Sequence, residues 1–575
     1  MSLRRPTVAT LAAAIASFAL LPGLVTLPAA AASASTVVLA LPPESSPNWF
    51  FPIESVPVAT SLNLQVESLL YMPLIQIGSN DEPDYANSLA SGVTVNQADT
   101  VFTIHLSGRY KWSNGKPVTV NDILYTWNLI KIASGTSSSL PWNYSSADVA
   151  GIPNNVQSFA STGPNTITVK LDHAMNPTEF IINGLAQIMP VPESVWNRYP
   201  TNPNAELKFI AAVANSPTQS EFQVVDGAYR VSSVEPNDKW VFQANPSFGG
   251  HKAEVKTVIL QYETSSASEF LGLKDGAVNY GFLPPSLWNA RTELTGDVVN
   301  PTYIWGFNYL LINLSSRAPG GIGQIFQQLP VRQALQMGVD QTQIIRAFFH
   351  GNAVPENGPI PSEPRTPYYD AALAKADYPF NPAAGKRLLE KNGWHLVDGV
   401  MTKDGHKLAF TYTYAAGSTT WSAIAQLLKS DWAQEGIDAT LSVQPYDTVV
   451  AEGVPTDPTK WQMLSWQGGL FIGWTYDPNY FPTSGGLFNT NGIYNAGNYS
   501  NATMDKLAAA VDVPGTPAQT LSRLYAYEAF AARDLPVIWL PFQPFLFAHS
   551  TALHGTQQGF DPITDLFYPQ YWTLN

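Results

Sequence analysis

The sequence predicts an α/β protein of at least two folding units, and three observations carry that expectation. The chain has 575 residues, several times the roughly 100 to 150 typical of one domain. Through its second half, apolar residues switch repeatedly between alternation and helical spacing, the mark of strands and helices taking turns around a largely buried sheet. Hydrophobic residues make up 45% of the chain and charged residues 13%. That charged share is about half of what soluble domains usually carry, so a large core is available and the surface must rely on Ser, Thr, Asn and Gln.

Residues 1–34 read as a secretory signal. Arg4 and Arg5 form its charged start, residues 8–21 its Ala/Leu-rich apolar stretch, and Ala30-Ala31-Ala32 or Ala32-Ser33-Ala34 its small-residue cleavage site. A membrane anchor is the alternative, but Pro22, Gly23 and Pro28 interrupt the apolar run and favour cleavage. No second stretch is long and apolar enough to cross a membrane as a helix.

The run FTIHLSGRYKWSNGKPVTVNDILYTW, residues 102–127, reads as strand, turn and capped helix. Phe102, Ile104 and Leu106 alternate with polar residues, as in a half-buried strand. Asn114-Gly115 supplies a turn, and Thr119 with Asp122 has the spacing of a capping box for a helix through Ile123, Leu124, Trp127 and Ile130. Asn381-Pro382 predicts a capped helix start, with Leu388 and Leu389 on its apolar face and Gly393 at the left-handed position past its end. Lys403-Asp404-Gly405-His406 reads as a hairpin turn before a strand holding Leu408, Phe410, Tyr412 and Tyr414. Trp421, Ile424, Ala425, Leu428 and Trp432 then fall at helical spacing, Gly436 ends that helix, and IDATLSV returns as a strand.

Several function classes are disfavoured by composition. The chain holds no cysteine, which removes disulfides, thiolate metal sites and cysteine catalysis. A formal net charge of −14 with no basic run argues against nucleic acid, whose phosphates need clustered Lys and Arg. Eight histidines are scattered along the chain, and no metal site or other cofactor is expected.

The run at 102–127 resembles a signature of the ABC-importer solute-binding proteins of family 5, the large peptide-binding group. Residues 227–248 (GAYRVSSVEPNDKWVFQANPSF), 331–345 (VRQALQMGVDQTQII), 381–394 (NPAAGKRLLEKNGW) and 497–505 (GNYSNATMD) look like further signature stretches in the family's order. The resemblance implies a two-lobed, periplasmic-binding-protein-like clamshell with an extra subdomain on the first lobe. The first lobe then takes residues 35–78, 223–302 and 541–575, the extra subdomain 79–222, and the second lobe 303–540. It also implies a monomer that performs no chemistry, captures an oligopeptide or other small solute, and passes it to ABC permease subunits. Many relatives carry a lipid on a cysteine after the signal. This chain has none, so an exported, periplasmic or cell-surface protein without that anchor is expected.

In such a binder the ligand lies in the interdomain cleft, where closure excludes water. Peptide-binding relatives use an Asp shortly after a Gly-Trp to meet the peptide's α-ammonium, and GWTYD puts Asp477 in that role. The plainer reading of Asp477 is a turn residue ahead of Pro478. Trp474, Tyr476 and Trp466 are aromatic candidates in the same stretch, with Trp421 and Trp49 behind them; core packing is the competing role for each tryptophan. Dipeptide-binding relatives place an arginine near the start of the helix after residue 414, but AAGSTTWSAIAQ has no Lys or Arg. A dipeptide carboxylate would be buried unpaired there, so a longer peptide is favoured. The same absence, with 16 Trp and 25 Tyr, also permits a neutral oligosaccharide. A secreted glycoside hydrolase is the rival from another class, but no nucleophile elbow, zinc-binding His-Glu-x-x-His or phosphate loop is present.

Overall fold

The computed structural model describes residues 35–575 apart from 44, 56–57, 136–139, 446–447, 450–451, 454–456, 466–474, 477–484, 491 and 493–494. The signal predicted at residues 1–34 lies outside the described residues.

The strand predicted from Phe102 forms as Val101–Leu106, with Phe102 and Ile104 fully buried and Leu106 half-buried. It pairs antiparallel with Ala90–Val95 and Thr166–Leu171, and Val156–Gly163 completes a four-stranded sheet. Gly115 turns the chain at φ +86°. The capping box then opens the helix Val120–Ala133: the Thr119 N–H and hydroxyl both donate to Asp122 Oδ2 at 2.8 Å. Ile123, Trp127 and Ile130 are buried, and Trp127 stacks on Phe159 at 4.6 Å. Local chemistry and tertiary packing agree here, which is what makes the segment legible.

A seven-stranded sheet draws on both ends of the chain. Its order is Asp297–Thr302, Phe545–Ser550, Tyr280–Phe282, Thr36–Ala40, Thr257–Gln261, Lys239–Ala244 and Tyr229–Glu235. Thr36–Ala40 runs parallel to both of its neighbours, and the other pairs are antiparallel.

A six-stranded sheet is built from residues 307–540. Asp438–Gln444, Ala409–Ala415, Met463–Ser465, Phe307–Ile312 and Thr475–Tyr476 follow in order, with Ile538–Leu540 also on Phe307–Ile312. Ala409–Ala415 and Asp438–Gln444 are parallel, and the helix Thr419–Gln434 crosses between them. The Asp404-Gly405 turn has both φ angles positive, 51° and 79°, as a type I′ hairpin requires. The predicted alternation at 408–414 ends differently: Tyr412, Thr413, Tyr414 and Ala415 are all buried, because parallel strands flank this one and its faces are covered. Phe307–Ile312 is buried along its whole length.

Candidate ligand-binding site

The helix Ser61–Leu70 starts at Thr60, whose side chain accepts the Asn63 N–H at 3.1 Å. Asn63 in turn accepts the Asn48 N–H at 2.9 Å and donates to the Val58 carbonyl at 2.6 Å, which holds the preceding loop on the helix. Farther along, Gln65 exchanges two hydrogen bonds with the Phe567 backbone, at 3.0 and 2.7 Å. This clamp joins the first helix to the last segment of the chain. Between them opens a cavity of about 620 Å³.

The cavity wall comes from four stretches, residues 52–87, 144–189, 228–248 and 557–571. Among its described lining residues are four carboxylates, Glu54, Glu67, Asp84 and Asp561, and no Lys, Arg or His. Glu67 is 1% exposed, and its Oε1 has no hydrogen-bond partner among the described residues. Burial holds its carboxyl well above the usual carboxylate range, and the charge of Glu54 adds to this. Burial likewise pushes Glu54 up to about 8, opposed only by the Thr60 N–H, which reaches its Oε1 at 3.5 Å. Asp561 is raised by burial to about 6 although the Ile563 N–H donates to it at 2.9 Å. The arrangement is a chamber of mixed polar and apolar lining whose carboxyls suit a ligand that donates.

The structure treats the sequence candidates unequally. Trp49 is buried outside the cavity wall: its indole N–H donates to the Phe51 carbonyl at 2.8 Å and its ring meets Trp142 edge-on at 5.7 Å. Trp421 packs edge-on against Phe349 at 5.6 Å and does not line the cavity either. Trp466, Trp474 and Asp477 lie outside the described residues. Of Tyr476 the backbone is described, and it pairs with Phe307. Two residues before Phe307, the Trp305 N–H donates to the Pro562 carbonyl at 2.7 Å, beside the cavity-lining Asp561 and Thr564.

Glu54, Glu67 and Tyr144 were not among the sequence candidates. An acid inside the apolar run LNLQVESLLYMPL was the one available signal for Glu67, and nothing local distinguishes Glu54 from a loop residue. Among the described residues, no group of three or more His, Asp or Glu is placed to hold a metal ion.

The model of the bacterial extracellular solute-binding proteins, family 5 (Middle), matches residues 84–492. The chain belongs to this family. It is 20% identical over 516 residues to the oligopeptide-binding protein AppA of Bacillus subtilis, covering 88% of this chain and 87% of that one. The structure of B. subtilis AppA in complex with a nonapeptide superposes with a TM-score of 0.73 at 18% identity, covering 94% of this chain and 99% of AppA. NikZ from Campylobacter jejuni, solved with Ni(L-His), superposes with a TM-score of 0.72 at 17% identity, covering 94% and 99% of the two chains. The fold is the two-lobed periplasmic-binding type. Family 5 proteins are the substrate-binding components of ABC importers, act outside the cytoplasm and are not enzymes, so the hydrolase alternative is set aside. Among the described residues, no helix is long and apolar enough to cross a membrane.

Proposed function

We propose that this family 5 protein captures an oligopeptide and delivers it to the transmembrane subunits of an ABC importer, acting as an exported monomer freed of residues 1–34. The cavity carries this reading. Its volume of about 620 Å³ sits within the roughly 300–1,000 Å³ of small-molecule sites. The Trp305 to Pro562 hydrogen bond and the pairing of Phe307 with Tyr476 support a ligand reaching from the cavity toward the strand Thr475–Tyr476.

In this reading the seven-stranded sheet belongs to the first lobe (35–78, 223–302 and 541–575), the four-stranded sheet to the subdomain at 79–222, and the six-stranded sheet to the second lobe (303–540). Asp477 receives the peptide's α-ammonium, and Trp474, Tyr476 and Trp466 pack on the first side chains. Several backbone amides of the peptide would meet acceptors in the chamber, with its carboxylate left toward water.

Native mass spectrometry of the purified mature protein, with release and sequencing of copurified material, tests the ligand class. A ladder of short peptides is expected; a discrete oligosaccharide or a metal chelate would replace the proposal. Asp477→Ala should weaken a free-amine peptide by about tenfold or more, since a charge-assisted bond contributes about 1.5–3 kcal/mol. The N-acetylated form of the same peptide should be insensitive to the substitution, and equal losses would remove the ammonium role.

A further inference from the structure

Several of the chamber's donors are already engaged, although the buried Thr564 hydroxyl is not. The Tyr144 hydroxyl donates to Gln187 Oε1 at 3.0 Å, and the Gln187 amide donates to the Val149 carbonyl at 3.2 Å and to the Asn183 carbonyl. Gln76 donates to the Ile77 carbonyl at 3.0 Å and to the Tyr568 hydroxyl at 2.5 Å. Asn87 donates to Asp84 Oδ2 at 2.7 Å. Acceptor capacity is left open beside Glu54: Glu67 Oε1 has no hydrogen-bond partner among the described residues, and the Glu54 carboxyl accepts one long contact from the Thr60 N–H at 3.5 Å. A buried acceptor without a donor is destabilising, so a group that completes it gains on binding. Two facing carboxyls without a basic side chain nearby call for a donor that also brings positive charge.

We infer that the bound ligand places a cationic group, an alkylammonium or guanidinium, between Glu54 and Glu67, so that the protein takes basic peptides and discriminates against acidic ones. The peptide half of this statement rests on the function proposed above; the charge half rests on the chamber alone. Glu54 lies in the loop before the helix and Glu67 on the helix itself, so a single cation ties the two elements together. Glu67 is faced by Glu54, Tyr144 and Tyr71, with Asp226 behind Tyr71, and none of these supplies a positive charge. Without a cation beside them, burial favours the neutral forms of Glu54 and Glu67. A cation reverses the balance, so binding releases protons and affinity for the cation rises as pH climbs toward about 8.

Isothermal titration of the mature protein with tetralysine, its fully Nε-acetylated counterpart and tetraglutamate tests the charge directly. Tetralysine is expected to bind about tenfold or more tightly than the acetylated peptide, tetraglutamate most weakly. Titration in two buffers of different ionisation enthalpy should show net proton release with tetralysine alone. In Glu54→Gln the preference for tetralysine should collapse while the acetylated peptide binds as before. Glu67→Gln should do the same, and if that fully buried substitution impairs folding, the half-buried Glu54 carries the test. Equal binding of tetralysine and its acetylated form, or a preference that survives Glu54→Gln, overturns the inference and leaves the peptide reading standing. If no peptide binds, the peptide reading fails. Spermidine then decides the rest: binding lost in Glu54→Gln upholds the cation site, and no binding overturns it.

Discussion

Arg332 and Asp534 show how single residues of this chain carry long-range order. Arg332 is almost fully buried and donates to the Phe326 and Gln327 carbonyls at 3.0 and 2.8 Å, to the Asp534 carbonyl at 3.0 and 2.8 Å, and to Asp534 Oδ2 at 3.3 Å. The Tyr499 hydroxyl donates to the same carboxylate at 2.6 Å. Two of the family-like stretches, 331–345 and 497–505, therefore meet on one side chain that lies in neither. Asp534→Ala would leave a buried guanidinium without its counter-ion. We expect a loss of about 3–5 kcal/mol of stability, read as a lowered urea midpoint by circular dichroism. An unchanged midpoint would mean that the backbone carbonyls alone satisfy Arg332. The sequence marked both stretches as family-like, but the residue that joins them was invisible because its partners are distant in the chain.

At the scale of elements, the helices Leu329–Met337, Pro382–Lys391 and Thr419–Gln434 pack through glycine. The Asn381 side chain caps the second of these by accepting the Ala384 N–H at 3.0 Å, as its sequence predicted. What the sequence did not convey is the use of Gly385. A Cβ there would run into the carboxyl of Glu435, and one on Gly338 would meet Trp432 and Glu435. Exposed Gly→Ala changes in helices are stabilising by about 0.5–1 kcal/mol. Gly385→Ala should instead destabilise by about 1–3 kcal/mol, because the buried neighbour cannot yield freely. Differential scanning calorimetry checks the sign: a raised Tm would show that Glu435 swings away. Helix existence was legible because caps and spacing are local; the close approach was not, because a glycine in a helical pattern looks the same wherever it packs.

For the whole molecule, burial of carboxyls sets the response to pH. Glu435 is raised to about 9 and Glu54 to about 8, while Glu67, Asp226, Glu356 and Glu528 are held well above their ordinary range by burial. Each of these groups binds a proton more tightly in the folded state than in the unfolded one. Their contribution is therefore fully present below the ordinary carboxylate range and is lost as pH rises through the raised values. The lowered carboxyls Asp238 and Asp457 are exposed and oppose this only weakly. The urea midpoint should fall steadily from about pH 5 to about pH 8, and Glu435→Gln should flatten that slope. A midpoint that rises across the interval would mean that the buried acids ionise within the fold with partners they do not have here.

The family, the alternation of strand and helix, the capped helix after residue 119 and the hairpin at Asp404-Gly405 were all legible before the fold was known. These depend on caps, turns and periodicity within a few residues, and local chemistry decides them before the chain is folded. Assembly of the fold is what clamps residue 567 to the helix Ser61–Leu70, packs Trp49 and Trp421 away from the cavity, and lines one chamber with Glu54 and Glu67. Those outcomes depend on contacts between segments hundreds of residues apart, where burial changes what a carboxyl or an indole does, and burial is a property of the assembled fold rather than of any window of sequence.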